Sequence, residues 1–457
     1  MLRQSLAQNQ KQPEIAYNLG YALQQLGLLD QAVQTYSQVL ALVPQDVDAL
    51  MARGHALATQ SRYAEAEADF AKAAKLVPQN VDAWNNYGNV LLELGRDADA
   101  IAAYNQALAA RPGFAQAWFN KGKALGNLER YTDAAAAYEA ALDINPNYEE
   151  AKWHLSWVYL VLGDFTRGWH LFEARWTVPA LGNHRRYPQL PQWLGQKSIA
   201  GKSLLLYAEQ GLGDTLQFCR YVPLLQKLGA TVSLAVQAAL VSVLADQWPD
   251  VAVAESFADV SGFDLATPLM SLPLALNTRL ESIPAEVPYL RVASAEKMAS
   301  DRPRIGLVWS GSSGHKNDKN RSIALATLAP LFEQPVDWVS LQPDLRETDL
   351  RWLADHPEVP IERPVLTDFA ETARIMQGLD WVVTVDTAVA HLAGALGKLV
   401  WLLLPTGADY RWLLDRADSP WYPTARLFRQ QVRGDWVGVV TQVKRAITDT
   451  ISGSVSP

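Results

Sequence analysis

The 457-residue sequence holds a single cysteine, Cys219, which excludes an intrachain disulfide and any cysteine-based zinc site. A lone thiol fits a reducing compartment, so the expected location is the cytoplasm. Long apolar runs are lacking too. A membrane-spanning helix needs roughly 20 consecutive apolar residues, and the apolar run 399–404 has only the length of a buried strand. Segment 1–12 is polar and glutamine-rich, without the apolar core of a secretory leader. Positive charge is not in excess: 40 Lys plus Arg against 48 Asp plus Glu leave a formal net charge of −8. Phosphate backbones demand clustered cations, so no nucleic-acid partner is expected. The remaining composition is that of an ordinary globular chain, long enough for two or three domains.

What is present is repetition. Pro44, Pro78, Pro112 and Pro146 recur every 34 residues, as do Gly20, Gly54, Gly88 and Gly122. Ala32, Ala66, Ala100 and Ala134 keep the same step, and so do Tyr36, Phe70, Tyr104 and Tyr138. This period is that of tetratricopeptide repeats, pairs of antiparallel helices stacked into a solenoid with a concave face. The glycine and alanine mark close helix approach, the aromatic fills the gap towards the next repeat, and the proline ends the second helix. A fifth, degenerate unit keeps Leu155, Tyr159, Gly163 and Phe172 near register. Asn18, Asn86 and Asn120 share one repeat position, expected on the inner helix, where amides can donate to and accept from an extended peptide backbone. Ala52 interrupts that row.

Between 175 and 201 the periodicity dies in a proline-punctuated linker. Strands are then expected at 203–207, 231–236, 251–254, 305–309, 337–341, 381–385 and 400–404, with helices between them. Such alternation implies two parallel, doubly wound sheets that face each other across a cleft. The expected domains are 1–148 (four repeats), 149–200 (degenerate cap and linker), 201–300 and 301–457 (two Rossmann-like halves).

Three constellations carry chemistry. After the first strand, Gly211 and Gly213 permit a tight turn and close backbone approach to a ligand, and Asp214 falls in the first turn of a helix running to about 228. Asp214 suits either a proton acceptor or a helix cap. The loop 310–322 holds Gly311, Ser312, Ser313 and Gly314, then His315, Lys316, Lys319 and Arg321. Small residues, hydroxyls and cations are what a diphosphate needs. Asp386 and Thr387 end a strand, with Thr387 placed to cap the next helix and His391 one turn on. The acidic pairs Asp46/Asp48 and Asp97/Asp99 lie at repeat turns, and no metal is expected.

The segments G-L-G-D-T-L-Q-F at 211–218, L-V-W-S-G at 307–311, V-D-T-A-V-A-H-L-A-G-A-L-G at 385–397 and W-Y-P at 421–423 resemble the glycosyltransferase family that includes the bacterial ADP-heptose:lipopolysaccharide heptosyltransferases. The resemblance covers about 202–447. It implies a GT-B fold and inverting, metal-independent transfer, with Asp214 as general base. It also implies Ser312, Ser313, Lys319, Arg321, Asp386, Thr387 and His391 around a nucleoside-diphosphate sugar. Arg321 stands where the family usually has lysine, and Ala388 where glycine is frequent. The layout is similar to that of O-GlcNAc transferases, whose solenoid presents a polypeptide to the cleft. The leading expectation is a glycosyltransferase acting on a protein chosen by the repeats. The alternatives are the same enzyme acting on a lipid-linked or surface glycan, and an interaction scaffold with an inactive nucleotide-binding part.

Overall fold

The computed structural model describes residues 12–245, 247–293, 300–314 and 317–453, and the chain divides into two compact units, Met1–Tyr159 and Leu160–Pro457. Among the described residues no helix is long and apolar enough to cross a membrane.

The first unit is the helical solenoid. Its helices alternate as inner and outer members of each pair: Pro13–Gln25 with Leu29–Leu42, Val47–Thr59 with Tyr63–Leu76, Val81–Glu93 with Asp97–Ala110, and Ala115–Asn127 with Tyr131–Ile144, followed by Glu149–Val161. Each repeat glycine is forced by an aromatic ring of its own repeat. A Cβ would stand 2.6 Å from the Tyr36 ring at Gly20, 2.8 Å from Phe70 at Gly54, 2.5 Å from Tyr104 at Gly88 and 2.6 Å from Tyr138 at Gly122. The same rings reach the following repeat, where Tyr36 clusters with Ala52, Phe70 with Val90 and Tyr104 with Ala124. The ring therefore fills two gaps, because a residue without a Cβ lets the paired helices close onto it. Prolines 44, 78 and 112 lie just beyond the outer helices, and Asp46 and Asn80 cap the next inner helices by accepting from Ala49 N at 2.9 Å and Ala83 N at 3.0 Å. The turn inside each pair needs a left-handed residue. Gly27, Gly95 and Gly163 supply it freely, whereas Ser61 and Glu129 adopt φ 59° without being glycine.

The second unit holds two all-parallel sheets. The first comprises β1 (Ser203–Tyr207), β2 (Thr231–Ala235), β3 (Ala252–Ala254) and β4 (Leu265–Pro268) in the order β3-β2-β1-β4. The second comprises β5 (Arg304–Val308), β6 (Asp337–Ser340), β7 (Ile361–Glu362), β8 (Trp381–Val385), β9 (Leu399–Leu404) and β10 (Ala425–Arg429) in the order β10-β9-β8-β5-β6-β7. Strands β4, β7 and β10 were not anticipated: β7 has two residues, and β4 and β10 alternate too weakly to stand out. The expected long helix after the glycine turn is broken. Leu212–Phe218 ends in a tight turn at Cys219–Tyr221, and Pro223 lies at the start of Val222–Lys227.

The segment read as a linker packs against the first sheet. Residues 191–193 extend the first sheet past β4, with Ala266 N donating to Pro191 O at 3.0 Å. Helix Phe165–Phe172, the second half of the degenerate repeat, is built into the α/β core. Its buried Trp169 meets Phe218 from the first sheet's side and Tyr410 from the second's, edge to face, with ring centroids 6.1 and 5.6 Å apart. Phe165 stacks on Trp421 at 6.0 Å. The cap thus joins both sheets, which periodicity alone did not convey.

Candidate functional site

In the second sheet the chain runs outward from β5 through β6 to β7, returns to β8 beside β5, and continues the other way to β10. Val308 pairs with Thr384 across that seam. The two segments leaving β5 and β8 therefore diverge, opening a crevice at the C-terminal ends of the strands, the usual binding place in such sheets. Loop 310–322 and Asp386–Thr387, 65 residues apart in sequence, are the two lips of this crevice. Arg321 Nη1 donates to Asp386 O at 2.9 Å.

The described part of the loop is pinned through Asp318. Asp318 is buried, accepting from Ser322 Oγ and Arg346 Nη2, both at 2.6 Å. Gly311 N donates to Ser322 Oγ at 3.1 Å, and a Cβ on Gly311 would stand 2.5 Å from the Arg321 guanidinium. Glycine is thus needed here to admit a side chain. Ser312, Ser313 and Lys319 are exposed, and Ser310 Oγ and Arg321 Nε are buried with no hydrogen-bond partner among the described residues. His315 and Lys316 lie outside the described residues.

Thr387 is the N-cap residue of helix Ala388–Ala395 by backbone position, but its hydroxyl makes no capping bond, contrary to expectation. It stands 3.5 Å from Thr384 Oγ1. Its neighbour Asp386 has its carboxyl pushed up to about 6, first by burial and then by the Asp409 charge. His391 is 5% exposed, shares a 2.9 Å hydrogen bond with the Tyr422 hydroxyl and stacks on Trp412. Burial holds its pKa well below the ordinary value, so it is neutral. It therefore supplies packing and polarity rather than charge.

The glycine turn meets this helix. A Cβ on Gly213 would lie 2.7 Å from His391 Cδ2, so the absence of a side chain there lets the two helices approach. Gly211 has an ordinary φ of −68°, and its N–H donates to Asp214 Oδ2 at 2.7 Å, so Asp214 does cap its helix. The other carboxylate oxygen accepts from Arg411 Nη2.

Arg411 and its neighbours in the loop after β9 were missed in the sequence. Nothing local marks them: Arg411 reaches its carboxylate partner across 197 positions. Also missed was Arg175, whose side chain is wholly buried, ion-paired to Glu173 at 2.6 Å and Glu209 at 2.9 Å, and bonded to Ser271 Oγ at 2.7 Å. Burial pushes Glu209 up to about 7 even so. This network lies under the turn that carries Gly211.

In the solenoid the asparagine row is uneven. Asn18 is exposed, while Asn86 Nδ2 lies 3.1 Å from His55 Nε2. Asn120 is buried, donating to Asn85 Oδ1 at 3.1 Å and Asn89 Oδ1 at 2.8 Å. The three are not equivalent open amides, because Asn85 and Asn89 of the preceding repeat engage the third. Among the described residues no cluster of three or more His, Cys, Asp or Glu side chains is placed to hold a metal. Asp99 at its repeat turn pairs with Arg96 at 2.7 Å.

The tetratricopeptide-repeat family model matches in overlapping windows, 1–47, 17–81, 51–115, 88–149 and 119–174, so this part of the chain consists of tetratricopeptide repeats. The chain is 27% identical over 326 residues to protein FlbA of Caulobacter vibrioides, covering 64% of this chain and 54% of FlbA. It spans about half the length of that curated relative. Among solved structures it is similar to YrrB, a tetratricopeptide-repeat protein with an unusual peptide-binding site, at 19% identity over 39% of this chain and 92% of that one, with a TM-score of 0.35. The match to MamA is 21% identical over 36% of this chain and 90% of that one, with a TM-score of 0.34. A thermophilic tetratricopeptide-repeat protein of Thermus thermophilus matches at 19% identity, 37% and 92% coverage and a TM-score of 0.31.

Proposed function

We propose that the α/β unit is a GT-B glycosyltransferase, moving a sugar from a nucleoside-diphosphate donor to an acceptor hydroxyl with inversion and without a metal, and that the repeats select a protein acceptor. The observation that carries this reading is the crevice between β5 and β8 with Asp214, from the other sheet, tied beside it through Arg411. Ser312, Ser313, Lys319, Arg321 and the N-terminus of helix Ala388–Ala395 offer donors and positive charge to a diphosphate, and the Thr387 hydroxyl is not spent on capping. Fixed donors of this kind stabilise a leaving diphosphate where no metal does so. Asp214 takes the proton of the attacking hydroxyl.

The pairing of Asp214 with Arg411 also suits a second reading, a repeat scaffold whose α/β unit binds nucleotide without transferring sugar. Thermal unfolding with UDP, GDP or ADP separates these. A nucleotide at 100 times its Kd raises stability by about 2.7 kcal/mol, and Asp214→Asn should keep that shift while abolishing transfer. No shift with any of the three removes the transferase reading. A shift without detectable transfer from any donor supports the scaffold.

A further inference from the structure

We propose that Arg411 is the positioning residue of this site: held rigidly by the loop after β9, its guanidinium orients the Asp214 carboxylate on the facing helix and keeps it ionised. The inference rests on the reading of Asp214 as the proton acceptor. Its geometry is specific. Arg411 Nε donates to Gln217 Oε1 and Nη2 to Asp214 Oδ1, two acceptors three residues apart on one face of helix Leu212–Phe218. Its third edge is anchored at home, with Nη1 donating to Asp409 Oδ1 at 2.8 Å. The guanidinium carbon lies 4.6 Å from the Tyr410 ring centre, and the residue is 6% exposed.

The loop is shaped for this. Two residues on, buried Leu413 adopts φ 53° and ψ −166°, a conformation that L residues rarely take and that persists only where surrounding contacts impose it. Asp214 differs: its side chain is 19% exposed, with one oxygen given to Gly211 N–H and the other to Arg411. With a fixed donor on each oxygen, the orientation of the carboxylate is set. Lysine supplies the charge but not the fork. Titratable groups facing Asp214 include Glu209 and Tyr410, Asp409 shares its guanidinium, and His391 packs against Gly213.

The test follows the Asp214 carboxyl directly. In full-length protein labelled at aspartate 13Cγ, the signal lost in Asp214→Asn is its own. In Arg411→Gln the titration midpoint of that signal should rise by about 1–3 pH units, the usual effect of an adjacent arginine, and in Arg411→Lys by less. An unmoved midpoint in folded Arg411→Gln overturns the proposal. If that variant does not fold, Arg411→Lys carries the test, and no rise of the midpoint in it overturns the proposal equally. The measurement needs no nucleotide, so failure of the transferase reading shows separately, as no stabilisation by UDP, GDP or ADP. With a donor in hand, the acid limb of kcat/KM should move with the midpoint. Lower activity at an unmoved limb would mean that Arg411 only supports the fold.

Discussion

Gly213→Ala tests the junction on which the site depends. The added methyl would arrive 2.7 Å from His391 Cδ2 and 3.5 Å from Ala388 Cα, where about 3.5–4.0 Å is comfortable. Relief by moving the imidazole is expensive, because the ring is bonded to Tyr422 and stacked on Trp412, all three buried. Overpacking of this kind costs about 1–3 kcal/mol. Urea unfolding of the full chain, followed by tryptophan fluorescence, should show the midpoint of the α/β unit lowered at unchanged m-value. In an His391→Ala background the obstacle is gone, so the same methyl should cost less by at least about 1 kcal/mol. Equal stability of Gly213→Ala and the wild type, or full additivity with His391→Ala, would refute the claim that this glycine exists for helix approach.

Three further outcomes follow from single contacts. Ser61→Gly, relieving a left-handed residue at φ 59°, should stabilise the solenoid by about 1 kcal/mol in urea unfolding; destabilisation would contradict the conformational account. Trp169→Ala should cost the α/β unit about 3–5 kcal/mol, since the ring fills the junction between Phe218 and Tyr410. A loss confined to the solenoid would place that helix wrongly. Asp386, raised from 3.8 to about 6 in the fold, retains a proton that the unfolded chain releases. Its contribution to stability is full below about pH 4 and lost as pH rises through about 6. The Tm difference between Asp386→Asn and wild type should therefore grow in favour of asparagine from about pH 4 to about pH 7, and a flat difference would refute the shift.

Much was legible in one dimension. The repeats were readable because each 34-residue unit meets the same neighbours, so the same physics selects the same residue at each step, as at Gly20, Gly54, Gly88 and Gly122. Strands such as β1, β8 and β9 stood out because strands buried on both faces read as apolar runs. The lips of the crevice were legible as short polar loops after strands. Arg411 and Arg175 were not, because a buried charge is defined by its partners: each has one carboxylate two residues away, but Asp214 and Glu209, which tie them to the site, lie 197 and 34 positions off. The core contacts of the cap helix were not legible for a related reason. Its Trp169 looks like any solenoid aromatic until Phe218 and Tyr410 are brought to it.

By itself, then, the sequence determined what is local or periodic: the helix pairs, seven of the ten described strands, the glycine turn and the small, polar loops after the strands. Only the tertiary structure decided what the glycines are for, which of the repeat asparagines remain open, and which cation holds Asp214. Those are questions of approach and partnership, and close packing settles them between residues that share no segment of the chain.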